Sequence, residues 1–144
     1  SQSSSQVGDI GRYIDMDLIT PTEREARLGV RNFKDGLVEV AEVLRKETSA
    51  KNIIMSVGAD GMLIHNQDQT SKLVITDRLP ALNKAPRDAS GAGDAALITS
   101  AMAIAAGANI WEAGIFGSVA ASIQVSRVGN QPILMEELLE ALQK

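Results

Sequence analysis

One stretch constrains this chain more than any other. Asp88-Ala89-Ser90-Gly91-Ala92-Gly93-Asp94 runs directly into Ala95-Ala96-Leu97-Ile98-Thr99-Ser100-Ala101-Met102-Ala103. A loop with two glycines and a carboxylate at each end therefore opens an alanine-rich helix. The first N–H groups of a helix have no intrahelical partner, and the macrodipole places positive potential there. Gly91 and Gly93 have no Cβ, so a large anion can come close to the backbone. Asp94 falls in the first helical turn beside that anion hole. A carboxylate base next to an oxyanion cradle suits transfer of a phosphoryl group to a hydroxyl.

Two other phosphate-binding patterns are set aside. Gly91-x-Gly93-x-x-Ala96 has the spacing of a dinucleotide fingerprint, but that fingerprint needs a buried strand leading into its first glycine. Ala85-Pro86-Arg87-Asp88-Ala89-Ser90 cannot end such a strand. A G-x-x-x-x-G-K-S/T loop is absent from the sequence. The bland alternative is a glycine-rich helix cap with no ligand.

The rest of the chain alternates strand-like and helix-like runs. Ser1–Gln6 is a Ser/Gln cluster that composition alone reads as a disordered tail. Met16–Thr20 reads as a short strand ended by Pro21. Thr20 or Thr22 is placed to cap a helix over Glu23–Gly29, with Gly29 as a C-cap. Leu37, Val40, Ala41 and Leu44 recur at helical spacing, and Glu39, Glu42, Arg45 and Lys46 read as its solvated face. Ile53–Val57 is a buried-type strand that turns through Gly58–Gly61 into Met62–His65, a hairpin-like pair. His65, the one histidine, reads as structural. Lys72–Thr76 reads as a further strand after the polar turn Asn66–Ser71.

Pro80–Pro86 is irregular. Helices are expected over Gly91–Ala106, Trp111–Val125 and Met135–Leu142, with a loop at Arg127–Pro132. The second of these is rich in small residues, so something must pack very close to it; either a neighbouring helix or a flat ligand would serve, and general packing favours the helix. The pattern indicates an α/β domain with a mostly parallel sheet flanked by helices.

Composition narrows the partners. A net charge of −4 argues against electrostatic nucleic-acid binding. The absence of cysteine excludes disulfides and thiolate metal sites and is compatible with the cytoplasm. The apolar run around Ala95–Ala108 is too short to span a bilayer, which points away from a membrane.

The glycine loop does not stand alone. Asp88-x-Ser90-Gly91-Ala92-Gly93-Asp94 resembles the D-T-x-G-A-G-D signature of the ribokinase (PfkB) family of sugar kinases. Ser56-Val57-Gly58-Ala59-Asp60-Gly61 resembles its T-L-G-x-x-G turn. Ala120 to Gly129 resembles its A-A-x-x-V-x-x-x-G helix and loop, and Leu18 to Ala26 its L-x-P-N-x-x-E segment. The four motifs stand in the family's order over residues 16–142. The phrasing around Ile19–Gly29 and Val128–Ile133 resembles the D-glycero-D-manno-heptose 7-phosphate kinase branch.

The resemblance implies a ribokinase-like fold and ATP-dependent phosphorylation of a sugar or sugar-phosphate hydroxyl. Asp94 would take the hydroxyl proton, and the N–H groups of Gly91, Ala92 and Gly93 would hold the transferring group. Asp88 and Ser90, with carbonyls after Val125, would resemble a monovalent-cation (K+) site. Glu25 matches the acidic residue that organises Mg2+ waters. Ser56, Gly58 and Gly61 would follow the nucleotide phosphates and ribose, and Ser118 the adenine. Thr22 and Ser118 depart from the family's asparagines, which motivates a second reading: a non-catalytic nucleotide-binding or assembly module.

By the same comparison residues 1–144 form the C-terminal, nucleotide-binding part of one kinase domain. The N-terminal half, with its sugar-binding residues, would be absent and the fragment inactive. Ser1–Gln6 would then be the remains of a central strand. Exposed sheet edge makes a homo-oligomer a reasonable expectation.

Overall fold

The computed structural model describes residues 9–68, 71–83, 85 and 87–143. The expectations for Ser1–Gln6 lie outside them. The chain divides into two compact units, one of Ser1–Gly58 with Met62–Arg78, the other of Ala59–Gly61 with Leu79–Lys144.

The first unit opens with a 3-10 turn at Ile10–Arg12. Helix α1 spans Glu23–Gly29 and α2 spans Leu37–Thr48. Strands β1 (Asn52–Ser56), β2 (Met62–Gln67) and β3 (Val74–Leu79) form a sheet in the order β1-β2-β3. Pairing of β1 with β2 is antiparallel, with Ile53 opposite His65 and Met55 opposite Leu63. This corrects the mostly parallel expectation. The five residues Val57–Gly61 suffice for a reversal but not for the crossover of a dozen or more that parallel neighbours need. Two isolated bridges, Ile19 with Ile53 and Thr22 with Ser56, are parallel. The expected strand Met16–Thr20 is thus a bridge and not a full strand. Pro21 lacks an N–H to continue a ladder, and its carbonyl oxygen accepts from Ser56 N–H at 2.9 Å.

Val40, Ala41 and Leu44 are fully buried, as their spacing predicted, and pack with Ile10, Ile19, Ala26, Ile53, Met55 and Leu63. Ile54 and Ile64 are buried as well, which explains a continuous apolar run instead of alternation. Gly29 is the last residue of α1 and not its C-cap, which is Val30. A Cβ on Gly29 would collide with the Ile10 side chain, so this glycine serves close packing. Strand β3 starts at Val74, not Lys72. Lys72 has a φ of 57° and donates its N–H to Asp68 O at 2.8 Å, so it still belongs to the turn.

His65 is fully buried and doubly bonded, with Nδ1 2.7 Å from Thr76 Oγ1 and Nε2 2.9 Å from Glu42 Oε2. Glu42 is therefore more than part of a solvated face. Its carboxylate also takes a bidentate bond from Arg45, at 2.9 Å to each oxygen, and an ion pair from Lys46 at 3.3 Å. Hydrogen bonding from Arg45 first, then from His65 and Lys46, outweighs burial and holds the Glu42 carboxyl down at about 2.

The second unit is built on helices α3 (Ala92–Ala105), α4 (Ile110–Val125) and α5 (Met135–Leu142). Asn109 caps α4 through a reciprocal box with Glu112. A Cβ on Gly117 would strike the Ser100 hydroxyl and lie 3.1 Å from Ala96 O, so α3 is the close neighbour that the small residues of α4 required. Ser100, itself buried, donates to Ala113 O at 2.9 Å across that contact. Gly61, in the same unit, has a φ of 95°, and a Cβ there would collide with the Leu79 carbonyl oxygen.

Two outcomes are expected. Glu42 has a lowered carboxyl value in the fold, so its stabilisation is complete above its unfolded value of about 4.3 and disappears as pH falls toward 2. Urea midpoints of Glu42→Gln should lie below wild type at pH 7 and converge with it between about pH 5 and pH 2. Gly117→Ala should destabilise by about 1–3 kcal/mol in urea unfolding, since overpacking meets backbone as well as side chain.

Candidate functional site

The chain from Arg87 to Gly91 is fastened to the C-terminal end of α4. Val125 O accepts from Arg87 N–H at 2.7 Å and from Asp88 N–H at 3.3 Å. The Asp88 carboxylate then folds the loop on itself: Oδ1 accepts from Ser90 N–H at 2.8 Å and Oδ2 from Gly129 N–H at 2.9 Å. These two amides, Ser90 first, hold the Asp88 carboxyl below the usual range. From the other side Gln124 Nε2 donates to Ser90 O at 3.2 Å and Gly129 O at 3.1 Å, with Asn130 Oδ1 at 3.5 Å.

The loop delivers the start of α3. Gly91 is its N-cap, with a φ of 76° that other residues rarely adopt, and a Cβ there would overlap the Asn130 side chain. Unlike α1 and α4, α3 has no side-chain cap. Ala92 N–H turns back to Ala89 O at 3.2 Å. Gly93 differs from Gly91: its φ is not in the left-handed region, and a Cβ would meet nothing within 4 Å. Asp94 is exposed in the first turn. Asp88, Ser90 and the Gly91–Asp94 run are thus brought together with Gln124, Gly129 and Asn130. Gln124 and Asn130 escaped the sequence reading; the available signal was an amide in the otherwise apolar turn Ile123-Gln124-Val125.

The first unit holds two of the remaining candidates near each other. Thr22 is bridged to Ser56, and Glu25 Oε2 accepts from Thr22 N–H at 2.8 Å and Thr22 Oγ1 at 3.0 Å. Glu25, which is buried, therefore closes the capping box of α1. Gly58 has a φ of 59° and open space where a Cβ would stand. Gly61 has a structural reason of its own, given above. Ser118 lies within α4 and is only 6% exposed, so little of it is offered to a ligand at the surface.

The two cations implied by the resemblance fare differently. Among the described residues no group of three or more His, Asp or Glu side chains converges to hold a metal. A monovalent cation shared by Ser90 and the loop after Val125 does not fit. The point facing both Ser90 O and Gly129 O is taken by Gln124 Nε2.

Among the described residues no helix is long and apolar enough to cross a membrane. The chain is 31% identical over 136 residues to the bifunctional protein HldE of a Nitratiruptor species, covering 92% of this chain and 28% of that one. It is also 31% identical over 136 residues to the bifunctional protein HldE of a Shewanella species, with 93% and 28% covered. The chain therefore spans little more than a quarter of these relatives. Ribokinase from Thermotoga maritima superposes with a TM-score of 0.76 at 29% identity, over 89% of this chain and 42% of that one. Phosphofructokinase-2 from Escherichia coli, in its complex with potassium, shares the fold with a TM-score of 0.76 at 17% identity, over 92% and 42%. The profile of the pfkB carbohydrate kinases matches residues 2–137, nearly the whole sequence, and the chain belongs to that family.

Proposed function

We propose that this chain supplies the nucleotide-side part of a kinase that transfers the γ-phosphoryl group of ATP to a hydroxyl of a sugar or sugar phosphate. The observation that carries the reading is Gly93. A glycine in the first turn of a helix costs stability relative to alanine, and nothing in the fold requires this one. Its use is to leave the end of α3 bare for an anion. Gly91, Ala92 and Gly93 N–H groups hold the phosphoryl oxygens, and Asp94, exposed beside them, accepts the hydroxyl proton.

Ser56, Gly58 and Gly61 line the phosphates and ribose, and Ser118 stands on the adenine side. Glu25 supports Mg2+ through water from its place in the capping box. Magnesium, bound with ATP, offsets charge on the phosphate oxygens. Residues 1–144 then act as the C-terminal part of one kinase domain whose N-terminal part binds the sugar. The heptose 7-phosphate branch is favoured by the phrasing around Ile19–Gly29 and Val128–Ile133, and a cytoplasmic setting by the need for ATP. The burial of Ser118 and the Thr22–Glu25 box favour the alternative, a nucleotide-binding or assembly module without chemistry.

Gly93→Ala separates fold from function. It should leave stability equal or raise it by up to about 1 kcal/mol. In an amide NMR titration with Mg-ATP, the wild-type shifts expected at Gly58, Gly61 and Gly91–Asp94 should be lost. Retained binding by the variant would remove the anion role. In a protein carrying this chain that phosphorylates a sugar, Asp94→Asn should lower kcat by about 10²–10⁴-fold with nearly unchanged Mg-ATP affinity. Full turnover by that variant would remove Asp94 from its role, whereas a wild-type protein carrying this chain that transfers no phosphoryl group would favour the alternative.

A further inference from the structure

We infer that the Gln124 side-chain amide takes the place of a monovalent cation in this chain, so that the Ser90–Asp94 turn is held without a bound ion. Gln124 is 1% exposed, and a buried amide must find partners for its two N–H donors. Its nitrogen meets Ser90 O at 3.2 Å and Gly129 O at 3.1 Å, both within hydrogen-bonding range, with Asn130 Oδ1 at the edge of contact at 3.5 Å. The two backbone carbonyls set the orientation, because the reverse would press Oε1 against both of their oxygens. Converging carbonyl oxygens are the kind of shell that replaces water around a hard monovalent cation. Here the positive end of an amide dipole, delivered by the last turn of α4, stands in that shell permanently.

The negative member of the cluster needs no ion either. Asp88 has each carboxylate oxygen on a backbone N–H, one from Ser90 and one from Gly129. Both strands of the loop are thus tied twice, once through the Asp88 acceptors and once through the Gln124 donors. The inference leans on the proposed reading only in taking this as the anion-cradling loop; its test reads the fold, so its failure would leave the kinase reading standing.

The test is thermal unfolding of wild type, Gln124→Ala and Gln124→Ser in potassium, sodium and choline chloride at equal ionic strength. Wild type should unfold within about 1 °C of the same temperature in all three salts. Both variants, with the oxygen cluster opened, should be less stable in choline and recover several degrees in potassium. Thallium-205 NMR, using Tl+ as the potassium probe, should show bound ion in the variants and none in wild type. A potassium-specific rise in the wild-type midpoint, bound Tl+ in wild type, or variants that ignore potassium would overturn the inference.

Discussion

The second unit depends on how the C-terminal end of α4 holds the loop that starts α3. Val125 O, Gln124 Nε2 and Gly129 N–H all bind residues between Arg87 and Ser90. In the proposed reading this loop delivers bare helix amides to an anion, and preorganised donors stabilise charge only if they do not move when it develops. Here the loop is held by backbone bonds to Val125 and by two side chains, Asp88 and Gln124, that offer complementary chemistry. The first supplies acceptors only, the second supplies donors where the acceptors are carbonyls. Gly91 completes the arrangement by turning left-handed in space that Asn130 fills.

Close approach of backbones is the second constraint. Gly117 against Ser100 and Ala96 brings α3 onto α4, and Gly61 lets its backbone meet Leu79. Dispersion and burial reward such contact only where no Cβ intervenes. The contrast among glycines is informative: Gly29, Gly61, Gly91 and Gly117 are explained by close neighbours and Gly58 by its positive φ, whereas Gly93 has neither. In the first unit the same economy appears at His65, whose two ring nitrogens are bonded to Thr76 and Glu42, so a buried histidine is structural and not reactive.

The sequence alone determined the helices, the hairpin-like pair β1–β2, the apolar face of α2 and the family, because each is written in local spacing or in an ordered run of motifs. The extents of Met135–Leu142 and Glu23–Gly29 were legible, the first from apolar periodicity and the second from a threonine cap with acidic residues in its first turn, although its C-cap is Val30 and not Gly29. Tertiary structure decided what depends on meetings of distant residues. The Glu42–His65 bond and the reduction of Met16–Thr20 to a single bridge at Ile19 both depend on which partner a backbone or side chain finds. Gln124 is the plainest case. As a letter it is one polar residue in an apolar turn; only the fold brings Ser90 and Gly129 around its nitrogen. Hydrogen-bond partners 34 residues apart leave no periodic trace, because direction and distance in space, not order along the chain, set the bond.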